Sequence, residues 1–362
     1  MAGMRIFSRS VLPALLVTAL ALGSTGCGSS ATRKVIQKAE AFSGAREYEK
    51  ALKILNDAVA ASPKDAKLRE ARLVVLLEVE RLDLARQEIA ILRKVLPKKS
   101  FLRAAVRHPD PRVRKGAAQL LGSLGDPAVA SSLVPLLGDP SVDVRRAAVA
   151  AFGNLRDSRS SKLLQASLRD PSWYVRSDAA EALVKLKDPE GVENLIPLLS
   201  DEESYVRFVA ARGLRELAET RHRAQLERLL EQSDPFVRVA GAVALARIGD
   251  VQAAPVLRGA LADKDWAVRR DAISGLAALR DRASVAEVRK RLADPEPRVR
   301  LEALVAVRQL RDMDAIPELE RMALNDREDR NLRIAAAVAA RDLLKAAQAP
   351  AAPAAGTPAP GR

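Results

Sequence analysis

One cysteine in 362 residues, Cys27, leaves no way to form an internal disulfide. The two histidines, His108 and His222, fall in helix-connecting regions far apart along the chain. No H-E-x-x-H, C-x-x-C, G-x-S-x-G or Walker A loop is present. Aromatic side chains make up only 3% of the residues, so no aromatic-rich pocket is legible. No segment alternates apolar and polar residues as a half-buried strand would. The one marked apolar run, Val11 to Leu22, contains Pro13 and is shorter than the roughly 20 residues a spanning helix needs. These absences assign no catalytic residue, no cofactor and no metal ligand, and the expectation is a chain that is not an enzyme.

What is present is a rhythm. Val113-Arg114, Val144-Arg145, Val175-Arg176, Val206-Arg207, Val237-Arg238, Val268-Arg269 and Val299-Arg300 recur every 31 residues, and Leu332-Arg333 arrives two residues late. Four residues after each Val stands a small residue, among them Ala117, Ala148, Ala179, Gly241 and Ala303. Eight residues after stand Leu121, Phe152, Leu183, Leu214, Leu245, Leu276 and Val307, and at eleven Leu124, Leu155, Leu186, Leu217, Ile248, Leu279, Leu310 and Leu343. Spacings of zero, four, eight and eleven place these side chains on one helical face. The small residue fits a close helix crossing. A second helix per unit is marked by Leu133, Leu164, Leu195, Leu226, Leu257, Val288 and Leu319. Asp126-Pro127 and Asp188-Pro189 are expected to open the leucine-marked helix. Asp139-Pro140, Asp170-Pro171, Asp234-Pro235 and Asp294-Pro295 are expected to open the Val-Arg helix. A fixed period of this length means stacked helical hairpins, in which neighbouring units bury one another.

The pattern D-P-x-x-x-V-R-x-x-A-x-x-x-L-x-x-L, as in Asp139 to Leu155, resembles the short HEAT repeat of the phycobilisome-lyase type. The resemblance implies an all-α solenoid of eight units over residues 98–346, with Leu102 and Val106 in the first leucine-marked helix. It is nearly silent on function. In the last unit Asn325 to Arg330 replaces Asp-Pro and reads as a polar terminal cap.

Residues 33–97 follow a different period. Ala51 and Ala85, Leu55 and Ile89, and Pro63 and Pro97 are each 34 apart, with Tyr48 three residues before Ala51. This resembles the tetratricopeptide repeat. Val35, Ala39, Arg69 and Leu73 depart from that family's Trp and Gly positions. The expectation is a short tetratricopeptide-like helical module, joined to the array at Pro97 to Ser100.

Residues 1–26 read as an export signal, with Arg5 and Arg9 ahead of the apolar run. Gly23-Ser24-Thr25-Gly26-Cys27, followed by Gly28-Ser29-Ser30, resembles a bacterial lipoprotein cleavage site, although Ser24 stands where Leu is usual. The resemblance implies lipidation of Cys27, a short linker over 27–32 and membrane attachment through the acyl chains. The absence of Asp after Cys27 implies the outer membrane, facing the periplasm. Residues 347–362 are almost only Ala, Pro, Gly and Thr and are expected to form a tail that cannot fold.

The net charge of +14 is spread along the chain and interleaved with acid. Together with the export signal, this argues against nucleic acid as partner. Trp173 and Trp266, two residues before their Val, read as partial packing against a neighbouring repeat. Arg114, Arg145, Arg176, Arg207, Arg238, Arg269, Arg300 and Arg333 read as a structural ladder to the capping Asp of an adjacent unit. Partner-facing positions are those that vary between units: Lys115, Arg146, Glu181, Phe208, Arg212 and Arg270. The leading expectation is an envelope-anchored scaffold that binds proteins or peptides. A HEAT-type enzyme, of lyase or glycosylase type, and a basic solenoid for an anionic polymer are the alternatives.

Overall fold

A computed structural model describes residues 30–95, 105–125, 129–155, 160–188 and 190–348. Cys27, the signal, the Pro97 to Ser100 junction, Leu102, Asp126-Pro127, Pro189 and residues 349–362 lie outside the described residues. Among the described residues there is no strand, and the chain divides into two compact units, Met1–Leu155 and Arg156–Arg362. The expected change of period at 97/98 lies inside the first unit. Both units are stacks of antiparallel helices.

Unit 1 opens with four helices, α1 (Ser30–Gly44), α2 (Tyr48–Ala61), α3 (Ala66–Glu78) and α4 (Leu82–Val95). Ala51, Leu55, Ala85 and Ile89, the residues of the 34-residue period, are all fully buried. Helix α1 starts inside the expected 27–32 linker, and Thr32 Oγ1 donates to Asp65 Oδ2 at 2.9 Å. That bond ties the first turn to the N-cap of α3, where Asp65 also accepts from Lys67 N and Leu68 N. Arg69, at a position where the tetratricopeptide pattern departs, is buried. It donates to Glu88 Oε1 at 2.8 Å and to the Pro63 carbonyl at 2.6 Å. Arg72 pairs with the second oxygen of Glu88. Unit 1 ends with two Val-Arg helices, α5 (Pro111–Ser123) and α6 (Val142–Leu155).

Unit 2 carries the remaining Val-Arg helices: α7 (Trp173–Leu186), α8 (Ser204–Leu217), α9 (Pro235–Arg247), α10 (Trp266–Leu279), α11 (Pro297–Gln309) and α12 (Arg330–Gln348). Each packs on the next, α7 on α8 through α11 on α12. The Val of every pair, the small residue at plus four and the large residue at plus eight are buried, as Val206, Ala210 and Leu214 show. Each large side chain so buried contributes roughly 1.5–3 kcal/mol. The plus-eleven residues Leu124, Leu186, Leu217, Ile248 and Leu279 are only half-buried. Gly241 shows why plus four is small. A Cβ there would sit 2.5 Å from Leu229 Cβ and 3.2 Å from the Leu226 carbonyl.

The leucine-marked helices depart from expectation. A short α segment tightens into a 3₁₀ turn, as in Gly191–Leu195 followed by Ile196–Ser200. Pro197, like Pro135 in unit 1, has no N–H for the α ladder, which favours the tighter turn there. Helix α12 runs two residues into the expected 347–362 tail, because Ala346, Ala347 and Gln348 are good helix formers and Pro350 lies just beyond.

Among the described residues, the turn twelve residues after the Val takes a left-handed residue at Gly125, Lys187, Gly249, Arg280 and Arg311. Only Gly occupies that region without a Cβ clash, which costs about 1–2 kcal/mol. Arg280→Gly and Arg311→Gly are therefore each expected to raise stability by about 0.5–1 kcal/mol, after the extra entropy of an unfolded Gly is subtracted. Thermal melting checks this. Unchanged or lowered melting would show that the Arg side chains compensate for the strain.

Candidate functional site

The recurring Arg acts first on its own turn. In Arg114, Arg145, Arg176, Arg207, Arg238, Arg269 and Arg300, Nη1 donates to the backbone carbonyls six and five residues upstream, at 2.7–3.3 Å. These carbonyls belong to the segment entering the helix and have no helical donor. Arg114, Arg176 and Arg269 also reach the next repeat through paired bonds of 2.6–2.8 Å, to Asp139, Asp201 and Asp294 respectively. Arg300 reaches Glu328 at 2.6 Å in the irregular last unit. The position that would pair with Arg207 holds Gln232. Arg333 pairs with Asp326 in its own turn at 2.7 Å.

The aspartates do not all cap helices as expected. Asp139, Asp170 and Asp294 stand five residues before the Val and accept from the N–H two residues on, at Ser141, Ser172 and Glu296. The helices themselves begin later, at Val142, Trp173 and Pro297. Asp234, three residues before Val237, is a true N-cap, with Pro235 at the first helical position. The Asp-Pro pattern thus covers two different positions in the repeat.

Burial alone would raise the carboxyls of Asp139, Asp201 and Asp294. Hydrogen bonds from Arg114, Arg176 and Arg269, the turn N–H groups and nearby Arg charges outweigh it and hold all three below the ordinary aspartate value. A carboxyl depressed in the folded state contributes stability that is complete above its unfolded value of about 3.9 and is lost as pH falls through the folded value. Melting temperature is thus expected to fall steeply below about pH 4, and less steeply in Asp201→Asn. Equal slopes for parent and variant would refute the contribution of that pair.

The histidines serve turns as well. His108 Nδ1 accepts from Asp110 N at 3.1 Å, and His222 Nδ1 accepts from Glu219 N at 3.0 Å.

Of the expected partner-facing residues, Lys115 and Arg146 lie on α5 and α6 of unit 1. Lys115 pairs with Glu80 at 2.6 Å, and Arg146 is half-buried. The other four lie together in unit 2. Arg212 Nη2 pairs with Glu181 at 3.2 Å, and Arg270 pairs with Asp271 at 2.6 Å. Phe208 is exposed, with the guanidinium of Arg270 5.7 Å from its ring centre.

Around these four stands an aromatic ridge, of which sequence reasoning missed Tyr174 and Tyr205. Trp173 stacks on Tyr174 at 3.7 Å between ring centres and meets Tyr205 edge-on at 5.9 Å. Tyr205 lies 6.4 Å from Phe208, and Arg270 bridges from Phe208 to Trp266 at 5.4 Å. Arg298 covers Trp266 from the next unit at 4.9 Å. Helices α7, α8, α10 and α11 each supply a member, all from the first turns of the Val-Arg helices or the residues beside them. Tyr174, Tyr205 and Phe208 are 45%, 48% and 40% exposed, a large share for aromatic rings in a chain with so few. A legible signal existed: Tyr174, Tyr205 and Phe236 each precede the Val, at intervals of 31 residues.

The ridge is close to electrically neutral. Arg212 is matched by Glu181 and Glu216, Arg270 by Asp271, and Arg298 lies 4.0 Å from Glu296. Burial pushes the Asp271 carboxyl up, against the pull of Arg270 and Arg215. Apolar rings with matched charges suit uncharged, partly apolar ligand surface. Tyr and Trp are favoured at such contacts because they bring large area with few rotatable bonds.

HEAT repeats match residues 85–151, 131–215, 192–272 and 259–341. No curated protein matches the sequence. Among solved structures, the chain is similar to the complex of CpcE and CpcF of phycocyanin lyase from Nostoc sp. PCC7120. That match has 22% identity and a TM-score of 0.37, covering 68% of this chain and 94% of that one. An engineered protein matches at 20% identity and TM-score 0.40, covering 87% and 94%. The Kap95p complex with RanGDP matches at 12% identity and TM-score 0.52, covering 82% of this chain and 47% of that chain. The likeness to phycocyanin lyase corrects the expectation of a non-enzyme: the repeat is found in an enzyme, so the fold supplies no ground for excluding catalysis. The repeat matches span 85 to 341, well over half of the sequence, and the chain belongs to the HEAT-repeat family.

Proposed function

We propose that this protein is a scaffold of the cell envelope that holds a partner protein along the aromatic ridge of unit 2, on a membrane anchor at Cys27. The observation that carries the binding reading is the exposed rings of Tyr174, Tyr205 and Phe208, backed by half-buried Trp173 and extended to Trp266 through Arg270. A folded array gains nothing in stability from leaving such rings in water, whereas aromatic side chains with Arg neighbours are typical of energetic hot spots. The solenoid fold is suited to protein binding, and Kap95p, of similar fold, binds RanGDP.

Support for the anchor is the small-residue run ending at Cys27, after the apolar stretch Val11 to Leu22. Among the described residues no helix is long and apolar enough to cross a membrane. In this reading the protein sits on the outer membrane, facing the periplasm, a choice supported only by the absence of Asp after Cys27. Cys27→Ala is expected to move it from the membrane to the soluble fraction of its native host, because the acyl chains supply the attachment. A membrane fraction unchanged by Cys27→Ala would remove the anchor and leave the ridge reading intact.

A further inference from the structure

Resting on the reading of the ridge as a protein-binding surface, we propose that its ligand is a neutral, proline-rich segment of the partner, bound as a polyproline helix that runs across the repeats. The rings are spaced for it. Tyr174, Tyr205 and Phe236 hold the same place in three consecutive repeats, the residue before the Val, and Trp266 stands in the fourth. Tyr174 and Tyr205 are exposed, and Phe236 and Trp266 are half-buried. Neighbouring packed helices lie about 8–10 Å apart. A polyproline helix repeats every three residues, or about 9.3 Å. Every third side chain of the ligand therefore meets the next repeat, and about eight to ten residues span the four rings.

Hydrogen bonding separates this ligand from a helical one. Among the described residues, neither the indole N–H of Trp173 nor that of Trp266 has a hydrogen-bond partner. The ridge thus offers ring faces together with free donors. A polyproline helix offers the complement: flat Pro rings, and backbone carbonyls that have no internal partner. A helical ligand uses its carbonyls within its own backbone and would leave both indoles unanswered. Charge agrees. Arg212, Arg270 and Arg298 are each matched by a carboxylate, so a strongly charged segment gains little here. A proline-rich segment also loses little freedom on docking, because its φ angles are fixed beforehand.

The test uses the full chain and two neutral synthetic peptides of equal length, each acetylated and amidated. One is five copies of Ala-Pro-Pro, a polyproline helix. The other is three copies of Ala-Ala-Gln-Ala-Ala, an α-helix former. The proline peptide is expected to shift the emission of Trp173 and Trp266, the chain's only tryptophans, saturably, and the helical peptide is not. Y205A/F208A, which removes two rings of the ridge, is expected to bind the proline peptide at least tenfold more weakly. Trp173→Phe keeps a ring and removes the N–H. Calorimetry is expected to show about fivefold weaker binding there, the loss of one hydrogen bond. No saturable shift with the proline peptide overturns the proposal, as does equal binding by Y205A/F208A or equal binding of the helical peptide. Unchanged affinity in Trp173→Phe overturns the assignment of that indole as a donor. Failure of the ligand class is separable from failure of the ridge reading. If position 205 still crosslinks to one segment of a partner and that segment is not proline-rich, only the ligand class is wrong and the binding surface stands.

Discussion

Replacing Glu88 by Ala is expected to lower the stability of unit 1 by about 3–5 kcal/mol, the cost of leaving a buried charge without its partner. Glu88 is 1% exposed and takes both Arg69 and Arg72, one on each carboxylate oxygen. Arg69 is itself buried and fixed at its other edge by the Pro63 carbonyl, so it cannot swing to water without breaking the α2–α3 turn. Exposed ion pairs such as Arg81 with Glu49 are worth at most about 1 kcal/mol and give the contrast. Thermal melting, with amide exchange in α3 and α4 to localise the loss, measures both. Arg69→Met with Arg72→Met and Glu88→Leu is expected to recover most of the stability, because an apolar trio needs no desolvation of charge. A Glu88→Ala chain melting like the parent would mean that Arg69 finds water, and the account of this core would be wrong.

The second large effect is on binding. Tyr205→Ala with Phe208→Ala is expected to weaken partner capture at least a hundredfold, since hot-spot aromatics cost about 2 kcal/mol or more each when truncated. Folding should be almost unaffected, because exposed side chains away from caps and cores change stability by about 0.5 kcal/mol or less. Leu324→Ala supplies the control. Leu324 is exposed and apolar but lies on the leucine-marked helix of the last unit, off the ridge. If Leu324→Ala weakened capture as much as the double variant, the contact would be general stickiness rather than a site.

Much of the fold was legible because the 31-residue spacing falls on residues whose burial leaves no choice: Val206, Ala210 and Leu214 cannot be exchanged for polar groups without opening the stack. The caps were less legible. Asp139 and Asp234 look alike beside a Pro, yet they stand two positions apart in the repeat, and only the backbone shows which one meets a helix start. The recurring Arg was visible, but its bonds to upstream carbonyls were not, because carbonyls carry no sequence signal. The buried Arg69–Glu88 pair was hidden for the same reason: both side chains read as surface residues until two helices are packed. The site was half legible. Phe208, Arg212, Arg270 and Glu181 vary between units and could be found by that. Tyr174 and Tyr205 recur at the position before the Val, where a search for variable positions inside the helix does not look.

The central claim is that a partner protein lies against Tyr205. Placing a photo-crosslinking aromatic residue at position 205 in the native host, and another at exposed position 193 on the leucine-marked helix, tests it directly. The account predicts one defined protein adduct from position 205, mapped to a single segment of that partner, and none from 193. Equal adducts from both positions, or adducts from 193 alone, would contradict it.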